Sequence, residues 1–157
     1  IGQDKHSSNY NTPQEVEKTK GPISFDGVYY NVWLYQSILE GKDAILFVTG
    51  DYVGSGNSFD VGQPFERFCD WNQIMDLVYT YGCKLGWHTK SHRDLTQLSI
   101  AEIVDEITPP FAMDYFAYPY GKFNEQVLDL VKKAGYKEAF SVTEGDNSPY
   151  QRLREYV

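Results

Sequence analysis

Apolar residues in this chain fall into two patterns, short continuous runs and longer runs with helical spacing. Ala44–Val48 is a continuous apolar run between Asp43 and Gly50, which is typical of a strand buried on both faces. Residues 70–81 instead place their apolar side chains on one helical face, behind an Asp and a Gln spaced as a capping box. Because Gly82 favours a helix end, the two patterns predict a buried strand followed by an amphipathic helix.

The same two patterns alternate along most of the chain. They predict strands at 23–26, 44–48, 84–89, 115–118, 139–142 and 153–157. They predict helices at 13–18, 31–40, 70–81, 99–107 and 124–134. Alternating strands and helices indicate an α/β fold with a parallel sheet and outer helices, either open or closed into a barrel. Ligands of such folds bind at the C-terminal ends of the strands.

Two segments depart from this alternation. Residues 1–20 are polar and lack a sustained apolar period, so we expect a flexible N-terminal arm before a single domain at 21–157. Residues 50–69 contain several glycines and are long for a loop, which favours a role at a substrate rim. The chain begins with Ile1 rather than Met. That start fits signal removal and an extracellular, periplasmic or cell-surface location.

Composition narrows the classes of partner. The net charge of -8 argues against a polyanionic partner such as nucleic acid, because no basic stripe is available to displace counterions. No apolar run reaches the roughly 20 residues that a membrane span needs. Cys69 and Cys83 flank the predicted helix at 70–81, too far apart for a disulfide, so we expect two free, partly buried thiols. The composition gives no indication of the oligomeric state.

Two of the three histidines lie four residues apart, at His88 and His92. If the chain turns helically after Trp87, both imidazoles lie on one face and can converge on one metal ion. The small residues Thr89 and Ser91 leave the approach to that face open. The spacing therefore predicts His88 and His92 as metal ligands.

Other polar residues fall at or near the predicted strand ends. Asp26 ends the first strand, His88 ends the third, and Tyr120 follows the fourth in a Pro-Tyr-Gly turn. Because the C-terminal ends of parallel strands share one edge, we expect Asp26, His88 and Tyr120 to share a site. Asp94 either orients a histidine or caps a helix, and Trp87 is expected in the core.

Several short motifs occur in a set order. Residues 88–99 contain His-Thr-Lys-Ser-His followed by Arg-Asp-Leu-Thr-Gln-Leu-Ser, and residues 116–121 read Phe-Ala-Tyr-Pro-Tyr-Gly before a helix. Segments 47–54 and 71–74 precede these motifs and also contribute to the pattern. In this order and spacing, the chain resembles the NodB-homology polysaccharide deacetylase family over most of residues 22–157.

The resemblance implies a distorted or incomplete (β/α) barrel of about five or six parallel strands. It implies a divalent metal, most often Zn²⁺ with Co²⁺, Ni²⁺ or Mn²⁺ as alternatives, held by His88, His92 and Asp26. It also implies hydrolysis of N-acetyl or O-acetyl groups on an acetylated oligo- or polysaccharide. In such a reaction the backbone N–H of Tyr120 resembles the donor that stabilises the oxyanion.

The chain departs from the family pattern at the first motif. The family reads Thr-Phe-Asp-Asp-Gly, whereas residues 24–27 read Ser-Phe-Asp-Gly. Either Asp26 is the general base and the metal loses its carboxylate, or Asp26 is the metal ligand and the base is missing. Ala117 stands where the family usually has an Arg that orients the base. The third histidine, His6, lies in the N-terminal arm. We do not assign it the role of the general acid that protonates the leaving group.

These departures leave more than one function open. The expected function is a metal-dependent carbohydrate deacetylase or acetyl esterase. The alternative is a catalytically impaired relative that binds glycan without turning it over. The third possible function is a structural or assembly role, in which aromatic side chains on the surface contact another protein. The aromatic content of 16% motivates it.

Overall fold

Six strands pair in their order along the chain to form one parallel sheet. The structure is a computed structural model that describes residues 13–57 and 65–155. The strands are β1 (Ile23–Asp26), β2 (Ala44–Val48), β3 (Lys84–Trp87), β4 (Tyr115–Ala117), β5 (Glu138–Ser141) and β6 (Arg152–Leu153). This order, with helices between the strands, confirms the predicted α/β class.

The sheet is curled rather than flat. Six strands spaced about 4.8 Å apart in a flat sheet would place β1 and β6 roughly 24 Å from each other. Instead Arg154, which follows β6, reaches Asp26 at the end of β1 with an N–O distance of 2.6 Å. A cleft of about 390 Å³ lies beside this contact, lined by Ser24, Phe47 and Phe140 among others. The described chain is therefore a half barrel, and the predicted incomplete barrel is confirmed.

Five α-helices flank the strands in the described part of the chain. They are α1 (Pro13–Lys18), α2 (Tyr30–Leu34), α3 (Trp71–Tyr81), α4 (Ile100–Ile107) and α5 (Glu125–Lys133). The predicted capping box of Asp70 and Gln73 is present at the start of α3, and Ser99 and Glu102 form a second capping box at the start of α4. Gly82 ends α3 in the left-handed conformation that glycine adopts without a Cβ penalty.

One predicted helix is wrong in its extent. The helix expected at 31–40 ends after α2, and a 3-10 turn at Gln36–Leu39 follows. Tyr35 separates them with φ -106° and ψ 30°, outside helical geometry. The break directs Leu39 into the core, where it is fully buried, while Leu34 and Tyr35 stay exposed. The spacing of apolar residues over 31–40 is continuous, so it does not reveal that the helix breaks at Tyr35.

The core lies between the sheet and the helices. Its fully buried members include Leu46 on β2, Ile74 and Leu77 on α3, Phe116 on β4 and Val127 on α5. Within the described residues, no helix is long and apolar enough to cross a membrane.

The first and last predicted segments are described in part. The expected helix at 13–18 is present as α1, and its Val16 side chain is buried. Residues 1–12 of the predicted arm, 58–64 of the predicted rim loop and 156–157 of the predicted sixth strand lie outside the described residues. Cys69 and Cys83 are free and buried, as predicted, and burial raises the pKa of the Cys69 thiol to about 12.

Candidate functional site

The residues predicted at the strand ends come together at one edge of the sheet. Asp26 ends β1, His88 directly follows β3, and Tyr120 lies in the turn after β4. His88 Nε2 lies 3.8 Å from Asp26 Oδ2, and the rings of His92 and Tyr120 meet edge-on at 5.0 Å between centroids. Asp26, His88 and His92 are all buried. Neighbouring contacts therefore connect the four residues.

The two histidines are joined by a turn, so the helical link considered from their spacing is wrong. Residues 88–92 contain no helix, and Thr89 and His92 both have left-handed backbone angles, with φ 66° and φ 60°. The His92 N–H donates to the Thr89 hydroxyl at 2.9 Å, which closes the turn within the segment. The imidazoles still converge, because the left-handed turn brings His92 back toward His88.

A backbone carbonyl fixes the orientation of His88. The Nδ1 atom lies 2.8 Å from the carbonyl oxygen of Ala117. Because a carbonyl only accepts, Nδ1 carries the proton in the neutral ring and Nε2 presents a lone pair. A hydrogen bond of this kind is the usual support for a histidine that ligates a metal through its other nitrogen.

The two Nε2 atoms lie 3.0 Å apart. Two nitrogens bound to one tetrahedral zinc ion at roughly 2.0–2.1 Å are separated by about 3.3–3.4 Å, so the pair would need to open by only a few tenths of an ångström to share an ion. The distance from His88 Nε2 to Asp26 Oδ2 is 3.8 Å, a few tenths of an ångström longer than the separation of two ligand atoms on one zinc ion. Among the described residues, no group of three or more His, Cys, Asp or Glu side chains is arranged to hold a metal ion.

Arg154 holds the carboxylate of Asp26. Its Nη1 and Nη2 atoms donate to Oδ1 and Oδ2 of Asp26 at 2.6 and 2.9 Å, a bidentate pair. Nη1 also donates to the Ser24 hydroxyl at 2.8 Å, and the guanidinium lies 4.9 Å from the centroid of the Phe47 ring. Burial alone raises the pKa of Asp26, but Arg154 and then His88 outweigh it and lower the pKa to about 2. Asp26 is therefore a carboxylate throughout the neutral range.

The role of Arg154 was missed in the sequence. Ala117 stands where the resemblance implies an Arg. The predicted sixth strand at 153–157 places Arg154 near its N-terminal end, away from the edge at which Asp26 was expected. In the structure β6 ends at Leu153, so Arg154 follows the strand and reaches that edge.

Tyr120 adopts a strained backbone in the turn after β4. Its φ of 60° and ψ of 10° interrupt the 3-10 turn at Pro119–Gly121. Gly121 follows with φ 67°, where a Cβ would meet the backbone nitrogen of Val142 at 2.8 Å. The turn sets the Tyr120 ring beside His92. The role of the Tyr120 backbone N–H stays a prediction.

The other residues singled out in the sequence have structural contacts. The Asp94 carboxylate accepts the Thr96 N–H at 3.1 Å and so caps a turn, the second of its two predicted roles. Trp87 is buried in the core, as expected. In the glycine-rich loop, Asp51 is exposed, and the Tyr52 hydroxyl donates to the Ser91 carbonyl at 3.4 Å. This part of the loop therefore packs on the histidine turn.

Solved structures share this fold. A deacetylase from Streptococcus pyogenes, PplD in complex with acetate, is 20% identical, with a TM-score of 0.65 over 80% of this chain and 59% of that one. IcaB from Ammonifex degensii is 19% identical, with a TM-score of 0.62 over 95% and 77%. A family 4 carbohydrate esterase from Streptomyces lividans in complex with acetate is 22% identical, with a TM-score of 0.53 over 76% and 60%. The chain thus spans about 60% of the length of two of these three structures.

The sequence also matches a family profile. No curated protein matches the chain. The profile for polysaccharide deacetylase matches residues 38–139, which include His88, His92 and Tyr120 but neither Asp26 nor Arg154. Because this match covers more than half of the chain, the protein belongs to the polysaccharide deacetylase family.

Proposed function

We propose that the protein removes an acetyl group from a carbohydrate with the help of a divalent metal ion bound by His88 and His92. The observation that carries the proposal is the 3.0 Å separation of the two Nε2 atoms. The Nδ1 atom of His88 is held by Ala117, so its Nε2 lone pair is available to a metal. Membership of the polysaccharide deacetylase family supports the choice of an acetylated glycan as substrate.

We propose Asp26 as the third ligand rather than the general base. A general base works best with a pKa near the working pH, whereas Arg154 and His88 lower the pKa of Asp26 to about 2. An ionised carboxylate with its Oδ2 atom 3.8 Å from His88 Nε2 suits metal binding beside the histidine pair. Of the two alternatives open in the sequence, the physical chemistry of the site favours the ligand.

Each residue then has a defined task. His88, His92 and Asp26 would hold the divalent metal ion, which would supply Lewis acidity toward the acetyl carbonyl and a water molecule. His88 and His92 bind as neutral imidazoles, and Arg154 holds Asp26 ionised and oriented. The backbone at Tyr120, next to His92, is the proposed donor to the oxyanion. Zn²⁺ is the first metal to test, since two imidazoles and one carboxylate suit it.

The test separates the two roles of Asp26. Asp26→Asn removes the charge and retains the size of the side chain. A ligand role predicts that zinc affinity falls by about tenfold or more, measured by competition with a chromophoric chelator, and that acetate release from acetylated chitooligosaccharides or xylan falls with it. If Asp26→Asn binds zinc as tightly as the wild type while acetate release is lost, Asp26 is the base and the ligand assignment is wrong.

A second function is supported because, among the residues that the structure describes, Asp26 is the carboxylate that contacts His88, and Arg154 already holds it. A catalytically impaired member would bind acetylated glycan without releasing acetate. Isothermal titration with chitooligosaccharides, paired with the acetate assay, distinguishes the two functions. Saturable binding without acetate release favours the binding protein, whereas steady release that depends on His88 and His92 favours the enzyme.

A further inference from the structure

The turn that carries the histidine pair is held by a buried carboxylate on a neighbouring helix. Glu106 lies in the last turn of α4 and is 3% exposed. Its Oε2 accepts the backbone N–H of Ser91 at 2.9 Å, and its Oε1 accepts the Ser91 hydroxyl. Ser91 directly precedes His92, so the Glu106 carboxylate acts on the backbone that carries the second imidazole.

The backbone of Glu106 holds the same turn at other points. Its carbonyl oxygen accepts the Lys90 N–H at 2.9 Å and the indole N–H of Trp87 at 2.9 Å. These donors lie on either side of His88. One residue of α4 therefore accepts hydrogen bonds from three residues around the histidine pair.

The opposite side of the turn is held by neutral donors, among them the Tyr52 hydroxyl on the Ser91 carbonyl. The Gly50 and Asp51 N–H groups donate to the carbonyls of Thr89 and Lys90 at 3.1 and 2.8 Å. Since neutral hydrogen bonds are roughly half as strong as charged ones, the Glu106 carboxylate provides the stronger support. A single substitution at Glu106 removes that carboxylate, whereas the backbone donors of Gly50 and Asp51 stay in place.

The turn needs external support because its backbone is strained. Thr89 and His92 adopt left-handed angles, which are unfavourable for a residue with a Cβ. The internal hydrogen bond from His92 N–H to the Thr89 hydroxyl offsets part of this cost. Without the bonds to Glu106, the chain around Ser91 loses its charged support and can relax on that side, which would change the separation of the two imidazoles.

We propose that Glu106 is a positioning residue for the metal site: through Ser91 it sets the distance between the Nε2 atoms of His88 and His92. The metal-dependent part of this inference rests on the proposed function. Glu106 touches neither imidazole in the hydrogen bonds described, and its effect passes through the backbone of the turn. Supporting residues of this kind typically change metal affinity by about 10–100-fold.

The test is Glu106→Gln, which retains the shape of the side chain and replaces one acceptor oxygen with a donor. We expect zinc affinity, measured by chelator competition, to fall about tenfold, and the visible spectrum of the Co²⁺-loaded protein to change. Glu102→Gln is the matched control, because Glu102 lies on the same helix and caps its first turn. That variant should bind Zn²⁺ like the wild type.

Two further measurements identify the route of the effect. In a double-mutant cycle, Ser91→Ala should remove most of the effect of Glu106→Gln on zinc affinity, because both act through one contact. In metal-free protein with EDTA, Glu106→Gln should speed hydrogen exchange at the Ser91 and His92 amides, and Glu102→Gln should not.

The outcomes separate the two proposals. Failure of the wild type to bind Zn²⁺ or Co²⁺ overturns the proposed function. In that case the hydrogen-exchange rates of the Ser91 and His92 amides alone test whether Glu106 positions the turn. Unchanged exchange in Glu106→Gln overturns the positioning role. Faster exchange with unchanged zinc affinity also overturns it, because the turn would then move without consequence for the pair.

Discussion

Three residues at the candidate site have backbone angles that side chains with a Cβ rarely adopt. Thr89, His92 and Tyr120 all have φ between 60° and 66°. Such residues cluster at functional sites, where the surrounding structure holds them in place. Here the supports are visible, namely the Thr89 hydroxyl on the His92 N–H and the carboxylate of Glu106 on Ser91. The geometry of the pair is therefore a property of the turn and of what holds it.

The ion pair between Arg154 and Asp26 should dominate the stability of this edge of the barrel. Arg154→Met leaves a buried carboxylate without its guanidinium, and breaking a buried pair from one side costs about 3–5 kcal/mol. We expect a loss near the lower end, about 3 kcal/mol in urea unfolding at pH 7, because the Arg154 side chain is 12% exposed. The double variant Arg154→Met with Asp26→Asn should recover part of the loss. Equal stability of wild type and Arg154→Met would contradict this account.

The ion pair between Arg154 and Asp26 also makes the stability of the fold depend on pH. The pKa of Asp26 is lowered from 3.8 to about 2 in the folded chain. The stabilisation is therefore fully present above about pH 4 and is lost as the pH falls through 2, a contribution of about 2 kcal/mol. Urea unfolding from pH 5 to pH 2 in EDTA should show it. The Arg154→Met, Asp26→Asn double variant should lack this part of the pH dependence.

At the scale of the elements, the sequence predicts what local chemistry determines. The apolar run of β2 and the caps of α3 and α4 are local signals, and each of these elements occurs where it was expected. The histidine turn was not predicted, because left-handed angles at Thr89 and His92 leave no periodic pattern. Arg154 was missed for a different reason: its contact with Asp26 joins the first and last strands, and such a contact follows from the curl of the sheet.

The N-terminal cap of α3 offers a clean test at this scale. The Asp70 carboxylate accepts the Gln73 N–H at 2.9 Å, and the Gln73 side chain accepts the Asp70 N–H at 3.0 Å. Asp70→Ala should cost about 1 kcal/mol of unfolding free energy. Asp70→Asn retains the acceptor and should be within a few tenths of the wild type. Equal loss in both variants would indicate that the charge of Asp70, and not the cap, stabilises the helix.

At the scale of the molecule, the curled sheet is what assembles the site. Asp26 from β1, the histidine turn after β3 and Arg154 after β6 meet because six parallel strands bend into a half barrel. A flat sheet of the same strands would separate Asp26 and Arg154 by roughly 24 Å. A ligand bound at this edge therefore contacts segments that are distant in sequence, and its binding energy stabilises the whole fold.

Zinc should accordingly raise the melting temperature of the whole chain. A ligand that binds only the folded state at 100 times its Kd stabilises that state by about 2.7 kcal/mol. For a domain of this size, each kcal/mol shifts Tm by roughly 2–4 °C, so we expect a rise of about 5–10 °C over the EDTA-treated protein in differential scanning calorimetry. His92→Asn should abolish the rise, whereas His6→Asn, which removes the histidine outside the pair, should retain it. A rise that survives His92→Asn would place the metal elsewhere, and the absence of any rise in the wild type would remove the metal from the proposed function.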